Sequence, residues 1–192
     1  MNGESILIYG YSTMVIHALE SIPAKVREKT EIYIAECRGK TQFNLINKMI
    51  YNDGLQYVKR CRSMEFKTLY FIPDISVANL MKRKKIGKVL FGANGIDEDS
   101  GNFGHTCGHL MVSDLACIYN VPLYVISDSS KIGKLGYDDG TNREKINWLP
   151  KIKGYSDVYR DMELINPRED TVPSDRITMI ITEKGVQQPQ RR

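Results

Sequence analysis

The stretch ESILIYGYSTMVIHALESI, residues 4–22, indicates the fold class of this chain. It opens with a short apolar run that ends at Gly10, as a buried strand does at a tight turn. The apolar residues after the turn recur at helical spacing, at Met14, Val15, Ala18, Leu19 and Ile22. We therefore predict a strand, a turn and a helix in this order.

The same alternation of apolar runs and helical patterns continues along the chain. The further predicted strands are EIYIAECRG (31–39), TLYFIPD (68–74), KVLFGA (88–93), VPLYVIS (121–127) and RITMIITEKG (176–185). The further predicted helices are TQFNLINKMIYNDG (41–54), ISVANLMKRK (75–84) and HLMVSDLACIYN (109–120). Sustained alternation of strand and helix predicts an α/β fold, a Rossmann-like parallel sheet with helices on both faces.

Three segments are less easily assigned within this alternation of strands and helices. The helix predicted over 41–54 ends at Gly54 and has the apolar stripe Phe43, Ile46, Met49 and Ile50. Residues 56–67, QYVKRCRSMEFK, interrupt the alternation, and their pattern leaves open an extra strand or an exposed hairpin. The polar stretch 92–109, GANGIDEDSGNFGHTCGH, is interpreted as a long loop after the fourth strand.

Length and composition are those of one soluble globular domain: 192 residues, of which 42% are hydrophobic and 26% charged. We expect a single domain over residues 1–189 and a frayed tail at 190–192. The apolar runs fall short of the roughly 20 residues that a membrane span requires. Because no leader opens the chain, a cytoplasmic protein without membrane contact is expected. The formal net charge of +4 is mild and spread, which argues against nucleic-acid binding.

The cysteines give no sign of a disulfide framework or a zinc ribbon. They stand at wide spacings without a Cys-x-x-Cys pair, at Cys37, Cys61, Cys107 and Cys117. Reduced thiols are therefore expected. Neither a cofactor nor a metal is expected.

Candidate ligand contacts follow from the fold class. In a parallel α/β sheet, ligands bind at the carboxyl ends of the strands, beside helix N-termini whose free N–H groups and dipole suit phosphate. The segments that follow the predicted strands are residues 10–13, 36–41, 74–76, 92–109 and 127–131.

The first of these segments is the turn Gly10, Tyr11, Ser12 and Thr13. Since it ends a strand and opens a helix, its backbone amides are placed to cradle a phosphate. A side-chain cap on the helix, from Ser12 or Thr13, explains the same residues without a ligand.

Two later segments carry charged candidates. Arg38, with Lys40, is placed to clamp a phosphate or carboxylate, or to pair with Glu36 at the surface. Asp74 closes the third strand, where it either holds a sugar hydroxyl or caps the next helix.

The histidines of the long loop offer a further site. His105 and His109 are four residues apart, which on a helix places both on one face and permits a zinc site. Cys107 would point away from that face, and no carboxylate at the right spacing completes the signature. We therefore favour a His105 that begins the helix beside the ligand, as a neutral donor or a cation, and a His109 on the core or interface face.

Six segments together resemble the C-terminal domain of the translation initiation factor 2B family. They are ILIYGYSTMV (6–15), AECRGKTQ (35–42), IPDISVANLM (72–81), VLFGANGID (89–97), NVPLYVISDSSK (120–131) and INPREDTVPSDRITMIITEKGV (165–186). That family includes the regulatory alpha, beta and delta subunits of the eukaryotic factor and the related methylthioribose-1-phosphate and ribose-1,5-bisphosphate isomerases. The resemblance implies a Rossmann-like domain and dimers or larger assemblies.

The resemblance also implies a difference at the pocket. Full-length members of that family carry a helical N-terminal domain that helps to close it, whereas this chain begins with the first strand of the Rossmann-like domain. We expect either an open pocket or one that a second protein or subunit covers.

The catalytic residues of the isomerases do not carry over. Those enzymes use a Cys at the end of the first strand and an Asp in a Gly-Ala-Asp turn, and the matching positions here are Gly10 and Asn94. Neither residue can transfer a proton near neutral pH. The Asn-Lys-x-Gly-Thr element of the family matches residues 105–109, His-Thr-Cys-Gly-His. Asn94 keeps its hydrogen-bonding ability, and Lys131 stands where the family places a substrate-facing lysine.

The sequence thus predicts a non-catalytic or regulatory protein of this type that binds a phosphorylated small molecule, a sugar phosphate or nucleotide, within a homo-oligomer such as a dimer or within a hetero-oligomer. The alternative is an aldose–ketose isomerase or related enzyme in which His105, Cys107 or Asp97 replaces the missing pair. A third possibility is a structural subunit with a vestigial pocket.

Overall fold

The computed structural model describes residues 4–37, 52–133, 135, 167 and 169–190, and the backbone alone of residues 42–44 and 49–51. In these ranges the helices and strands follow one another as β1 (Ser5–Ile8), α1 (Thr13–Ser21), α2 (Ala24–Arg27), β2 (Glu31–Ala35), β3 (Gln42–Asn44), β4 (Met49–Tyr51), α3 (Asp53–Cys61), β5 (Thr68–Ile72), α4 (Val77–Lys82), β6 (Lys88–Phe91), β7 (Gly95–Asp97), β8 (Phe103–Thr106), α5 (His109–Ile118), β9 (Leu123–Ile126), β10 (Ile132–Gly133), β11 (Glu169–Val172), β12 (Met179–Thr182) and β13 (Gly185–Gln187).

Seven of these strands form the main sheet, in the order β13-β12-β9-β6-β1-β2-β5. All neighbouring pairs from β12 to β5 are parallel, and the edge strand β13 returns antiparallel to β12. Chain order runs outward from β1 to β2 and β5 on one side, and from β6 to β9 and β12 on the other. The topological switch point, where open α/β sheets bind ligands, therefore lies between β1 and β6.

Side chains that alternate along the central strand pack against helices on both faces of this sheet. Leu7 is buried in one cluster with Met81 of α4 and Val112 of α5. Its neighbour Ile8 is buried in a second cluster with Val15 of α1 and Tyr57 of α3. This arrangement confirms the predicted α/β sheet with helices on both faces.

The helix predicted over residues 41–54 is wrong. The backbone forms the antiparallel pair β3 and β4 there, and α3 begins at Asp53 after Asn52, whose side-chain oxygen accepts a hydrogen bond from the Leu55 amide at 3.1 Å. Gly54 does not end a helix but lies in the first turn of α3, where a Cβ would collide with the carbonyl oxygen of Ala35. The error arose because short apolar runs fit a helix and a strand equally well.

The strand or hairpin considered for residues 56–67 is also wrong, because α3 covers residues 53–61. Tyr57 and Cys61, four residues apart, are fully buried on its inner face. Lys59 and Arg60 lie on its exposed face. The basic residues between the two buried positions obscured the helical period in the sequence.

The stretch 92–109 is not one loop. It contains β7 and β8, an antiparallel hairpin that belongs to a second sheet of order β10-β7-β8-β11. The carboxylate of Asp97 accepts hydrogen bonds from the amide and the hydroxyl of Ser100, at 2.8 and 2.7 Å, and so fixes the hairpin turn. These strands are short and rich in glycine, which hides their alternation in the sequence.

Two further expectations concern the whole chain. No helix in the described part of the chain is long and apolar enough to span a membrane. The single domain over 1–189 and the frayed tail at 190–192 stay predictions, since Arg191 and Arg192 lie outside the described residues.

Candidate functional site

Two glycines lie at the switch point, where β1 and β6 end. Gly10 has a φ of +66°, and a Cβ on it would collide with the ring of His109 and lie 3.2 Å from Cε1 of His105. A Cβ on Gly92 would collide with the side chain of Ser12 and lie 3.6 Å from Nε2 of His105. A side chain at position 10 would therefore be strained by the backbone and would require the ring of His109 to move.

The rings of His105 and His109 pack against each other beside Gly10, with centroids 4.1 Å apart and planes tilted by 31°. Both residues are buried. Nδ1 of His105 accepts a hydrogen bond from the Thr106 amide at 2.8 Å, so a neutral His105 ring carries its proton on Nε2. Nδ1 of His109 donates to the carbonyl oxygen of Thr106 at 2.6 Å. Hydrogen bonds with the backbone of Thr106 thus fix the orientation of both rings.

The expectation that His105 begins a helix is wrong. His105 lies in β8, paired with Asp170 of β11, and α5 begins at His109. The rings meet because the chain turns at Gly108, with a φ of +104°, and not through the spacing of a continuous helix. Among the residues described, no group of three or more His, Cys, Asp or Glu side chains is arranged to hold a metal ion.

Side chains of α3 hold the turn between β1 and α1. Oδ2 of Asp53 accepts a hydrogen bond from the Tyr11 amide at 3.1 Å. The hydroxyl of Tyr57 accepts from the Ser12 amide and donates to the carbonyl oxygen of Gly10, both at 3.0 Å. The side chain of Ser12 caps α1, which is one of the two interpretations drawn from the sequence.

A buried thiol reaches the same turn from the end of β2. The Gly10 amide donates to Sγ of Cys37 at 2.9 Å, and the Cys37 amide donates to Oδ1 of Asp74 at 2.8 Å. Burial, followed by the Asp74 carboxylate, raises the pKa of Cys37 well above its usual value. Burial likewise raises the pKa of Tyr9 and Tyr57. All three groups are therefore neutral near pH 7.

The sequence does not mark three residues that contact the β1–α1 turn, Asp53, Tyr57 and Cys37, as site residues. The first two lie in segments whose secondary structure was predicted incorrectly, although Asn52 followed by Asp53 is a recognisable start of a helix. Cys37 lies in the segment 36–41 at the end of a predicted strand, and that position is the signal that points to it.

Other predicted site residues lie on both sides of the switch point. Nζ of Lys131 donates to the carbonyl oxygen of Ala93 at 2.8 Å, which places the cation at the carboxyl end of β6. Asn94 is exposed, and its Nδ2 donates to Oε1 of Glu169 at 3.1 Å. Asp74 joins the site through Cys37, whereas Arg38 lies outside the described residues.

Two candidates for a relocated acid or base have local partners. The hydrogen bonds from Ser100 hold the pKa of Asp97 below its usual value, within the turn between β7 and β8. Burial, followed by the nearby Asp170 carboxylate, raises the pKa of Cys107. That carboxylate also accepts hydrogen bonds from the amides of Gly108 and Leu110, at 2.7 and 3.0 Å, at the start of α5.

Residues 1–189 match the sequence profile of the Initiation factor 2 subunit family. The chain belongs to this family. It is 36% identical over 124 residues to a methylthioribose-1-phosphate isomerase from Natranaerobius thermophilus, which covers 63% of this chain and 35% of that protein. It is also 33% identical over 122 residues to a 5-deoxyribose 1-phosphate isomerase from Bacillus cereus, over 60% of this chain and 34% of the other.

Solved structures of similar fold include proteins named translation initiation factor eIF-2B. A translation initiation factor eIF-2B from Pyrococcus horikoshii superposes with a TM-score of 0.69 at 17% identity, over 98% of this chain and 59% of that one. The delta subunit of eIF-2B from A. fulgidus gives 0.70 at 19%, over 98% and 54%. The chain spans about a third of the length of the curated relatives and little more than half of these structures.

The resemblance noted above assigns a catalytic thiol to the position of Gly10 and a carboxylate to that of Asn94. Here the ring of His109 occupies the space beside Gly10, and Asn94 is hydrogen-bonded to Glu169. Glycine has no side chain and an amide does not titrate, so neither Gly10 nor Asn94 is itself a proton-transfer group near neutral pH.

Proposed function

We propose that this family member binds a phosphorylated small molecule, a sugar phosphate or a nucleotide, at the carboxyl ends of β1, β6 and β9, and that it acts as a non-catalytic or regulatory protein. The observation that carries the proposal is the packing of His109 against Gly10, because the ring of His109 would have to move before a thiol side chain could be accommodated at the end of β1. The family's fold is retained without its proton-transfer pair, and this combination supports binding without turnover.

The proposed ligand contacts are the residues that the sequence predicts after the strands of the parallel sheet, and Arg38 is proposed from the sequence alone. They are Gly10, Tyr11, Ser12, Thr13, Arg38, Asp74, Asn94, His105 and Lys131. Lys131 supplies a cation at the end of β6, and a neutral His105 supplies a donor at Nε2, because its Nδ1 is an acceptor. Asp74, half-buried beside Cys37, supplies an acceptor for a sugar hydroxyl.

Isothermal titration calorimetry with ribose 5-phosphate and AMP tests this proposal. We expect the wild type to bind at least one of them and Lys131→Met to weaken that binding about tenfold, since a charged hydrogen bond contributes about 1.5–3 kcal/mol. Lys82→Met, at the exposed end of α4, is the matched control and is expected to bind as the wild type does. Absence of binding, or equal weakening in both variants, would contradict the proposal.

We also propose that the binding form is a dimer or a larger assembly, on the basis of the family resemblance. Size-exclusion chromatography with light scattering at micromolar concentration is expected to give at least twice the mass of one chain. A monomer mass, with or without the ligand, would contradict this part of the proposal.

An isomerase with a relocated acid and base is the second candidate function. Two observations favour it: the 36% identity to a named isomerase, and the thiol of Cys37, which lies 2.9 Å from the Gly10 amide although it comes from β2. The other candidates are His105, Cys107 and Asp97. Turnover of an aldose phosphate that His105→Gln abolishes and the exposed control His17→Gln retains would favour the enzyme. Absence of turnover in the wild type would exclude it.

A further inference from the structure

The amides of the β1–α1 turn, which a phosphate would be expected to use, already have acceptors within the protein. The Gly10 amide donates to the thiol of Cys37 and the Ser12 amide to the hydroxyl of Tyr57. Both of these acceptors are neutral, as described above. The Tyr11 amide donates to Oδ2 of Asp53 at 3.1 Å, so this acceptor is a carboxylate and brings a negative charge to the turn.

Asp53 is available for this contact because another residue caps its own helix. The side chain of Asn52 accepts from the Leu55 amide, and Asp53 is then the first residue of α3. A carboxylate in the first turn of a helix is stabilised by the helix dipole. The residue is half-buried, so solvent screens its charge less than that of an exposed carboxylate.

A phosphate that approaches this turn meets a like charge and an amide that is already hydrogen-bonded. Like charges brought together at a binding site cost several kcal/mol. A sugar hydroxyl has the opposite requirement, because it donates a hydrogen bond to a carboxylate. The local chemistry thus favours the uncharged part of a ligand.

A cation is available on the other side of the switch point. Lys131 follows β9, and its Nζ contacts the carbonyl oxygen of Ala93 after β6. Strand β6 is the immediate neighbour of β1 in the sheet, so the strand ends beside which the cation and the turn lie are about 5 Å apart. A sugar phosphate can bind with its phosphate at Lys131 and its hydroxyls toward the β1–α1 turn.

We infer that Asp53 is a specificity-determining residue that excludes phosphate from the β1–α1 turn and leaves this turn to the hydroxyl-bearing part of the ligand. The inference rests on the proposed function, since it orients the phosphorylated ligand proposed for this edge of the sheet. In this role the carboxylate of Asp53 is an anion within the protein that takes the place of a phosphate at the Tyr11 amide.

Titration with inorganic phosphate at constant ionic strength tests the role of Asp53, with binding followed by calorimetry and by the amide chemical shifts of Tyr11, Ser12 and Thr13. In Asp53→Asn the side-chain oxygen still accepts from Tyr11, but the charge is gone. We expect this variant to bind phosphate at least about tenfold more tightly than the wild type, with shifts at these three amides. Asp53→Ser, a second neutral variant, is also expected to bind phosphate more tightly than the wild type.

Glu28→Gln is the control, because it removes one negative charge at an exposed position after α2, at the opposite edge of the sheet. It is expected to match the wild type. Equal phosphate affinity in the wild type and in the folded Asp53 variants, or no phosphate binding by any of them, overturns the inference.

The wild type is titrated in parallel with ribose 5-phosphate, which separates this inference from the proposed function. If the wild type does not bind ribose 5-phosphate while Asp53→Asn binds phosphate at Tyr11, the exclusion of phosphate by Asp53 stands and the proposed function fails. If the wild type binds ribose 5-phosphate while the Asp53 variants gain no affinity for inorganic phosphate, the proposed function stands and the inference fails.

Discussion

Gly10 is constrained both by its backbone and by its packing. Its φ is positive, and a Cβ on it would collide with the ring of His109. A thiol at this position, which the resemblance assigns to the isomerases, would therefore require a second change at His109. The residue type at position 10 thus depends on a cluster of residues and not on one position.

Gly10→Ala is expected to lower the free energy of unfolding by about 3 kcal/mol. A left-handed backbone costs an L-residue about 1–2 kcal/mol, and overpacking costs about 1–3 kcal/mol. Urea denaturation measures the change. Gly133→Ala is the control, because a Cβ there meets no atom within 4 Å.

A double-mutant cycle with His109→Ala isolates the contact between the two residues. In that background the added methyl no longer meets the ring of His109, and its nearest contact is Cε1 of His105 at 3.2 Å. Gly10→Ala is therefore expected to cost about 1–2 kcal/mol, mainly the backbone contribution. An equal cost of Gly10→Ala in both backgrounds would show that His109 does not limit the space beside Gly10.

Helix α3 is the element that organises the switch point, although it contributes no residue that the sequence marked as functional. Its first residue, Asp53, holds the Tyr11 amide, and Tyr57 bridges Gly10 and Ser12. One turn further on, Cys61 is buried in the cluster beneath α1. The helix thus joins the turn to the core.

Tyr57→Phe is expected to destabilise the protein by about 1–3 kcal/mol. It leaves a buried amide of Ser12 and a buried carbonyl of Gly10 without the hydroxyl that serves both. Thermal or urea denaturation measures the loss. Tyr119→Phe, at a half-buried position at the end of α5, is expected to stay within about 0.5 kcal/mol of the wild type. Similar effects in the two variants would rule out a special role of the Tyr57 hydroxyl.

Alkaline pH is expected to destabilise the fold, partly through Cys61. Burial raises the pKa of this thiol from its ordinary value of 9.0 to about 11. The unfolded chain therefore loses the proton first, so stability is retained below about pH 9 and falls as the pH rises toward 11. The slope of unfolding free energy against pH in this window is expected to be smaller in Cys61→Ala than in the wild type or the exposed control Cys117→Ala. Identical slopes in all three would contradict the assignment.

Prediction from the sequence succeeded where an element is long or fully buried. The run from Ser5 to Ile8 and the helical spacing after Ser12 gave β1, α1 and the cap between them. It failed at α3, because a hairpin precedes it and the basic residues around Tyr57 conceal its buried face. The contact of His109 with Gly10 could not be predicted from the sequence. Gly10 follows β1 and His109 begins α5, and these elements are far apart in the chain.

At the scale of the whole molecule, the parallel sheet brings neutral donors, carboxylates and a cation to one edge. His105 and Lys131 lie on the β6 and β9 side of the switch point, and Asp53 and Asp74 lie on the β1 and β2 side. The positions of Lys131, Asp53 and Asp74 give the proposed ligand a direction: its phosphate toward Lys131 and its hydroxyls toward Asp53 and Asp74. We therefore expect oriented binding without proton transfer.

³¹P NMR of ribose 1-phosphate incubated with the wild-type protein follows both binding and turnover. We expect a reversible shift or broadening of the ribose 1-phosphate resonance, weakened in Lys131→Met and retained in Lys82→Met, with no resonance of a ketose phosphate after prolonged incubation. A growing ketose phosphate resonance, or a ribose 1-phosphate resonance that the protein leaves unchanged, would contradict oriented binding without proton transfer.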